Sequence, residues 1–420
     1  MHGRDPWWCR GRRAHPGTGV CTHHGPWESG VSRVTVSIAR AGSYEAGEVR
    51  AALARLLAPW GGMRGLVSTG DRVLVKPNFL VPKAVHTAVT THPELILALC
   101  EAALDAGAGS VVVGDSPGFG SGLWVARKTE FLEPARAIGV EVVDFATPVA
   151  VELKDSRRFK RFELERTALG VDKIVNVGKV KTHGQMFMTL AVKNLFGCVV
   201  GVRKAAWHLE AGKNAGLFAD MLLDLHYYLK PCINILDGIV MMEGNGPGNG
   251  TPRDFGVLAA STDAVALDRA VCSALSLPLE RMTTHIEAER LGYGVPDPGQ
   301  VDWAGVPLAD VTIPGIVHPL LGDVGDFYVP GFLRRFSRRL LEVRPVVDPA
   351  VCTACGRCVG LCPAKAIGMV PWRGKERALI DPVNCIHCYC CQETCPDGAI
   401  RPRRGLVRGL LKKPGGIDDA

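Results

Sequence analysis

Fifteen cysteines stand in this chain of 420 residues, and their placement is lopsided. Nine lie between Cys352 and Cys395, whereas Cys9, Cys21, Cys100, Cys198, Cys232 and Cys272 are scattered. A secreted disulfide scaffold is short and spreads its cysteines through the fold. The crowding here instead describes a metal module on a larger body, in a reducing compartment. Two stretches, VDPAVCTACGRCVGLCPAKAI (347–367) and IDPVNCIHCYCCQETCPDGAI (380–400), repeat at an offset of 33 residues. Each carries the spacing C-x2-C-x2-C-x3-C-P. Three thiolates two residues apart wrap one corner of an iron–sulfur cubane, and the fourth, followed by Pro, is directed to the other cluster.

That spacing leads to two [4Fe-4S] clusters. One would be held by Cys352, Cys355, Cys358 and Cys395, the other by Cys385, Cys388, Cys391 and Cys362. Structural zinc sites pair two short C-x2–4-C knuckles, a different arrangement. Cys390 faces Arg357 in the repeat and reads as a bystander; His387, between two ligands, tunes potential or simply reaches solvent. Clusters held by four thiolates pass single electrons, so electron transfer is the expected role. Over 345–404, eight Lys and Arg against five Asp and Glu give a weakly basic face that would suit an acidic redox partner.

A second set of reactive types lies upstream. Lys76-Pro77-Asn78 follows the apolar run RVLVK, and Asp115-Ser116 follows SVVVG. Lys179, Lys181, Thr182 and His183 follow KIVNVG, with Lys193-Asn194 ten residues on and Arg203, Lys204 and His208 beyond. Lys near strand ends binds carboxylate or phosphate, and His moves protons near neutral pH. The reading is an anionic-ligand pocket. Lys76, Asn78, Lys193 and Asn194 would hold the ligand, while His183 would act as acid or base with Lys181 as charge partner and Asp115 as its orienter. Ordinary exposed loop charges are the bland alternative for any one of them. Gly114–Gly122 lacks G-x-G-x-x-G, no phosphate-binding P-loop occurs, and Gly244–Gly250 reads as a mobile loop.

The elements that must position these groups alternate. Strands are expected at Val34–Ala39, Arg72–Lys76, Ser110–Val113, Val140–Phe145, Lys173–Val177, Ile233–Leu236 and Val257–Ala260. Helices are expected at Glu45–Leu57, His92–Ala106 with Thr91 as N-cap, Phe218–Tyr228 and Asp263–Leu275. The pattern predicts an α/β body over 31–330 with a mostly parallel sheet, and a small α+β ferredoxin-like domain over 345–404. Between them, 331–344 reads as a basic connecting helix, favoured over membrane-surface docking through 331–343. Residues 405–420 form a tail. Residues 1–30 are an irregular extension without a signal-peptide core; a transit peptide or a true translation start at Val31 are the readings open for it.

At these residues the chain resembles the domain-of-unknown-function 362 family. VLVKPNFL (73–80), the His92-Pro93 helix start, GDSPG (114–118), VGKVKTHGQMFMTLAVKNLFG (177–197), DGIVMMEGNGP (237–247) and STDAVALD (261–268) carry the likeness, over roughly 33–300. The resemblance implies an α/β body often fused to bacterial-type ferredoxin modules. It implies no substrate.

A formal charge of +7 and 22% charged residues are mild, permitting anionic partners without demanding nucleic acid. No apolar run approaches the ~18–20 residues of a membrane span. A cytoplasmic oxidoreductase is expected, its partner a redox protein or a small anionic substrate. The alternative is a non-enzymatic electron carrier or assembly factor whose body docks a partner protein. Purely structural clusters beside a nucleic-acid surface form a weaker third reading, opposed by 6% aromatic content.

Overall fold

The structure is a computed structural model that describes residues 33–154, 156–201, 203–294, 299–320 and 343–403, with backbone alone at 13–14, 21–22 and 298. The extension at 1–30 apart from those four positions, the linker helix apart from Val343 and Arg344, and everything beyond Arg403 lie outside the described residues.

Nine strands form the main sheet: β1 (Val34–Arg40), β2 (Arg72–Lys76), β3 (Ser110–Asp115), β4 (Glu141–Asp144), β5 (Lys173–His183), β6 (Phe187–Thr189), β7 (Ile233–Glu243), β8 (Thr251–Ser261) and β9 (Val301–Gly305). Their order is β9-β1-β8-β7-β5-β2-β3-β4, with β6 folded back on β5. Only β8 and the short β6 run against their neighbours; the other pairings are parallel. The fold is α/β, as expected.

Parallel strands bury both faces, so their apolar residues alternate between two cores. Val73, Val75, Val111, Val113, Val175 and Val177 pack with Leu53 and Leu56 of α1 (Ala46–Leu57) and with Leu95 and Leu99 of α2 (Pro93–Asp105). Leu74, Val112, Ile174 and Leu236 face the other way. They share a core with residues of α4 (Ala215–Leu229) and α5 (Ala264–Ala274), which follow α3 (Arg203–Ala211).

Two local expectations are corrected. Helix α2 is capped by His92, whose Nδ1 accepts from the Glu94 amide. Thr91, the expected cap, uses its hydroxyl to join the Asn78 amide and the Val177 carbonyl. The run expected to leave the sheet after Val177 instead continues as strand to His183. Its polar residues are buried because β6 and the end of β7 cover them.

The C-terminal module pairs β10 (Arg344–Val347) with β13 (Ile400–Arg403), and β11 (Ile367–Trp372) with β12 (Lys375–Ile380); helices α6 (Arg357–Leu361) and α7 (Cys390–Thr394) lie against each other. The sequence repeat is also a backbone repeat. Left-handed residues recur at Ala354 and His387, Gly356 and Tyr389, and Lys365 and Gly398. The Ala366 amide donates to Cys362 Sγ and the Ala399 amide to Cys395 Sγ, each at 3.2 Å.

Candidate functional site

Cys352, Cys355, Cys358 and Cys395 line one void in the module. The buried Cys391 thiol is pushed up by burial and by its neighbours Cys388, Cys385, Cys358 and Cys362. The two amide-to-sulfur bonds are what a thiolate ligand accepts, so this donor chemistry fits iron–sulfur clusters. None of the thirteen described cysteines forms a disulfide.

The module does not hang free. Helix α7 inserts against β5 of the body, and His183 Nε2 lies 2.8 Å from Glu393 Oε1. The repeat shows why the two halves meet the body differently. Where α6 has Gly356, Val359 and Gly360, the second half has Tyr389, Gln392 and Glu393. Gln392 Nε2 donates to Asn245 and to the Gly246 carbonyl, while Asn249 Nδ2 donates to the Gln392 carbonyl. Gly248 must lack a side chain, since a Cβ there would sit 2.8 Å from the Glu393 carbonyl oxygen. The glycine-rich 244–250 stretch, expected as a mobile loop, is therefore a seat for the module.

Below this seat the body holds a buried polar lattice. Lys76 Nζ pairs with Asp115 Oδ1 at 2.9 Å, and Asp115 Oδ2 accepts from the Phe79 amide. A Cβ on Gly197 would lie 1.9 Å from that carboxylate, so only glycine closes the VKNLFG turn over the pair. An amide chain crosses from β7 to β2: Asn176 Nδ2 donates to Asn234, Asn194 Nδ2 to Asn176, and Asn78 Nδ2 to Asn194. Lys181 Nζ ends it, donating to Asn78 Oδ1 and the Val89 carbonyl at 2.6 Å each. Burial, with Lys193 nearby, pushes Lys181 down to about 7.

His183 is held as a specific neutral tautomer. Its Nδ1 accepts from the Gln185 and Met186 amides, which leaves the ring proton on Nε2, facing Glu393. Burial and Lys193 push its pKa down to about 4. Burial alone would raise the Glu393 carboxyl, but His183 and Lys193 draw it down to about 2. Asp115, expected as orienter of His183, is engaged with Lys76; the carboxylate that meets His183 is Glu393.

Beside these groups lies a cavity of 590 Å3 between body and module. Asn78, Asp115, Lys193 and Asn194 line it from the sequence-derived set; Lys76, Lys181 and His183 stand behind the wall, fully buried. Lys204 and His208 on α3 line it too, and the module contributes Cys362, Cys390 and Glu393. The expected bystander Cys390 thus faces the cavity. Burial pushes Lys204 down to about 8, and its ammonium donates to the Ser116 and Pro117 carbonyls.

Residues 73–273 match the family described as "Domain of unknown function (DUF362)", and residues 351–399 match a 4Fe-4S dicluster domain. The thylakoid-associated protein sll1697 of Synechocystis sp. is 43% identical over 258 residues, which is 61% of this chain and 79% of that protein. The chain belongs to the DUF362 family. It carries a [4Fe-4S]-binding module at its C-terminal end, as the cysteine spacing implied. Among solved structures, the lactate racemase apoprotein from Thermoanaerobacterium thermosaccharolyticum aligns with a TM-score of 0.39 and 11% identity. The alignment covers 60% of this chain and 59% of that one, and a likeness so slight bears on neither activity nor ligand.

A second buried cluster in this DUF362 protein escaped the sequence reading. Asp237 accepts from the Tyr44 hydroxyl, Lys179 Nζ and the His92 amide, and Lys179 also donates to Tyr44. Every oxygen in it is satisfied, so the cluster pins β7, β5 and the start of α2 together. Glu393 also went unread, because it stands among cluster ligands. Its signal was the departure from Gly360 within an otherwise faithful repeat.

Proposed function

We propose that this protein is an electron-transfer oxidoreductase with two [4Fe-4S] clusters. The outer cluster takes Cys352, Cys355, Cys358 and Cys395; the inner takes Cys385, Cys388, Cys391 and Cys362. Electrons enter at the outer cluster, where Cys355 is exposed, and pass to the inner one. The inner cluster serves a small anionic substrate or cofactor in the interdomain cavity. One observation carries this reading: Cys362, a ligand of the inner cluster, lines the same cavity as Lys193, Lys204 and His208. A cluster ligand and a set of cationic and proton-bearing groups share one space, and such convergence marks a reaction site.

The body's residues divide the work. Lys193 supplies charge at the cavity wall, and Lys181 and Asn78 stiffen it from behind. The Lys76–Asp115 pair fixes the end of β2. His183 and Glu393 hold the inner cluster at the cavity mouth. The clusters, when bound, supply one-electron chemistry.

A second reading, a carrier or assembly factor that docks a partner protein, draws on the outward face of β11 and β12. Trp372, Arg373, Lys375 and Leu379 are exposed there, over the strand whose Ala378 lines the outer cluster's void. An acidic electron carrier suits that face. Thiolate ligation of iron–sulfur clusters suits a reducing compartment, which we take to be the cytoplasm. Among the described residues no helix is long and apolar enough to cross a membrane.

Anaerobic reconstitution tests the proposal. Two clusters amount to about eight iron and eight acid-labile sulfide per chain. Cys362→Ser should remove or alter the electron paramagnetic resonance signal of one cluster and Cys395→Ser that of the other. Zinc without sulfide would sink the reading.

A further inference from the structure

The interdomain cavity is lined by both apolar and polar groups, the apolar ones including Phe79, Leu80, Phe119, Phe145, Val200 and Leu361. Among the polar ones, Lys193 Nζ has no hydrogen bond or ion pair among the described residues; its near contact is the Phe196 ring, 5.8 Å away. His208 is 3% exposed, and its Nδ1 is buried with no partner among the described residues. Its ring is fixed by stacking on Phe218 at 4.3 Å and by the edge of Phe196. The other cations near the cavity are engaged: Lys204 with two carbonyls, Lys76 with Asp115, and Arg357 with the Phe119 ring, 4.3 Å from its centre. The carboxylates of Glu393 and Asp144 also line the space.

These facts limit the ligand. A dianion such as a phosphate monoester would meet two ammonium groups, Lys193 and the carbonyl-bound Lys204, against the carboxylates of Glu393 and Asp144, leaving no surplus of cations for its second charge in a partly desolvated site. A neutral apolar molecule would leave the Lys193 ammonium without a hydrogen-bond acceptor among the described residues. We infer that the cavity takes a hydrophobic carboxylic acid, with its single carboxylate at Lys193 and His208 and a ring-sized apolar body against Phe119, Phe145 and Leu361. The volume of 590 Å3 accommodates such a molecule with room to spare. The inference rests on the electron-transfer reading for its purpose, and on the cavity walls alone for its ligand class.

Calorimetric titration of the full-length protein, with clusters reconstituted anaerobically, tests it. The probes are 2-naphthoate, the uncharged 2-naphthalenemethanol, and inorganic phosphate. Naphthoate should bind at least about tenfold tighter than the alcohol, and phosphate should neither bind nor compete. Lys193→Ala should weaken naphthoate about tenfold or more while leaving the alcohol unchanged, and Lys193→Arg should keep most of the affinity. The visible absorbance of the clusters checks that each variant is folded. Phosphate competing with naphthoate, or equal affinity of wild type and Lys193→Ala for naphthoate, overturns the inference. The redox reading fails separately: naphthoate would bind as stated, yet dithionite-reduced clusters would prove to have no electron exchange with any bound acid.

Discussion

His183 Nε2 lies 2.8 Å from Glu393 Oε1, joining a strand of the α/β body to the helix that carries Cys391 and leads into Cys395. Both groups are shielded from water, and His183 has only one proton to give. The contact therefore fixes where the inner cluster sits relative to the body's polar lattice. Gln392 from the same helix and Asn249 from its seat reinforce it.

Glu393→Ala should loosen the module. The substitution leaves the His183 ring N–H buried without an acceptor, which costs about 1–3 kcal/mol. Glu393→Gln keeps an acceptor oxygen and should cost less. Denaturant titration read on cluster absorbance should show the order wild type, Gln, Ala; an Ala variant as stable as wild type would contradict the docking geometry.

Lys76→Met should destabilise the body severely. Asp115 would remain buried without its cation, and breaking such a pair costs about 3–5 kcal/mol. Replacing both partners with apolar residues should recover much of the loss. Far-ultraviolet circular dichroism during urea unfolding measures both, and equal loss in the single and double variants would speak against the pairing.

Stability should fall in mild acid. His226 is buried, and burial pushes its pKa down to about 3; His92 is pushed down to about 4 in the same way. Unfolding releases both rings to a pKa near 6.5. Below that pH the unfolded chain binds protons that the native chain does not, so stability drops as pH falls from 6.5. The loss levels off near 4 for His92 and near 3 for His226. At its steepest, His226 contributes about 1.4 kcal/mol per pH unit. His226→Phe should flatten the acid limb of a plot of unfolding midpoint against pH, and an unchanged slope would rule this cause out.

Charge reversal on the hairpin face tests the proposed route of electrons. The Arg373→Glu, Lys375→Glu double variant should slow reduction by an acidic one-electron carrier about tenfold at low salt, with the difference shrinking as salt rises. Stopped-flow reduction by dithionite should stay unchanged, because dithionite needs no docking face. Equal rates with the protein donor would place its docking site elsewhere.

Much was legible from the chain itself because it is encoded locally. The eight ligand cysteines, the repeat at 33 residues and the alternating strands and helices follow from spacing and period, which short-range geometry enforces. Tertiary structure decided what depends on partners far apart in sequence. Lys179, Lys181 and His183 read as groups beyond a strand end, with Lys181 and His183 facing an anionic ligand. They are buried strand residues because Asp237, Asn78 and Glu393 arrive from distant segments to satisfy them. Likewise the sequence held Glu393 and the 244–250 glycines in plain view. Only the packing of two domains, which no local pattern records, showed that one seats the other and leaves a cavity at the join.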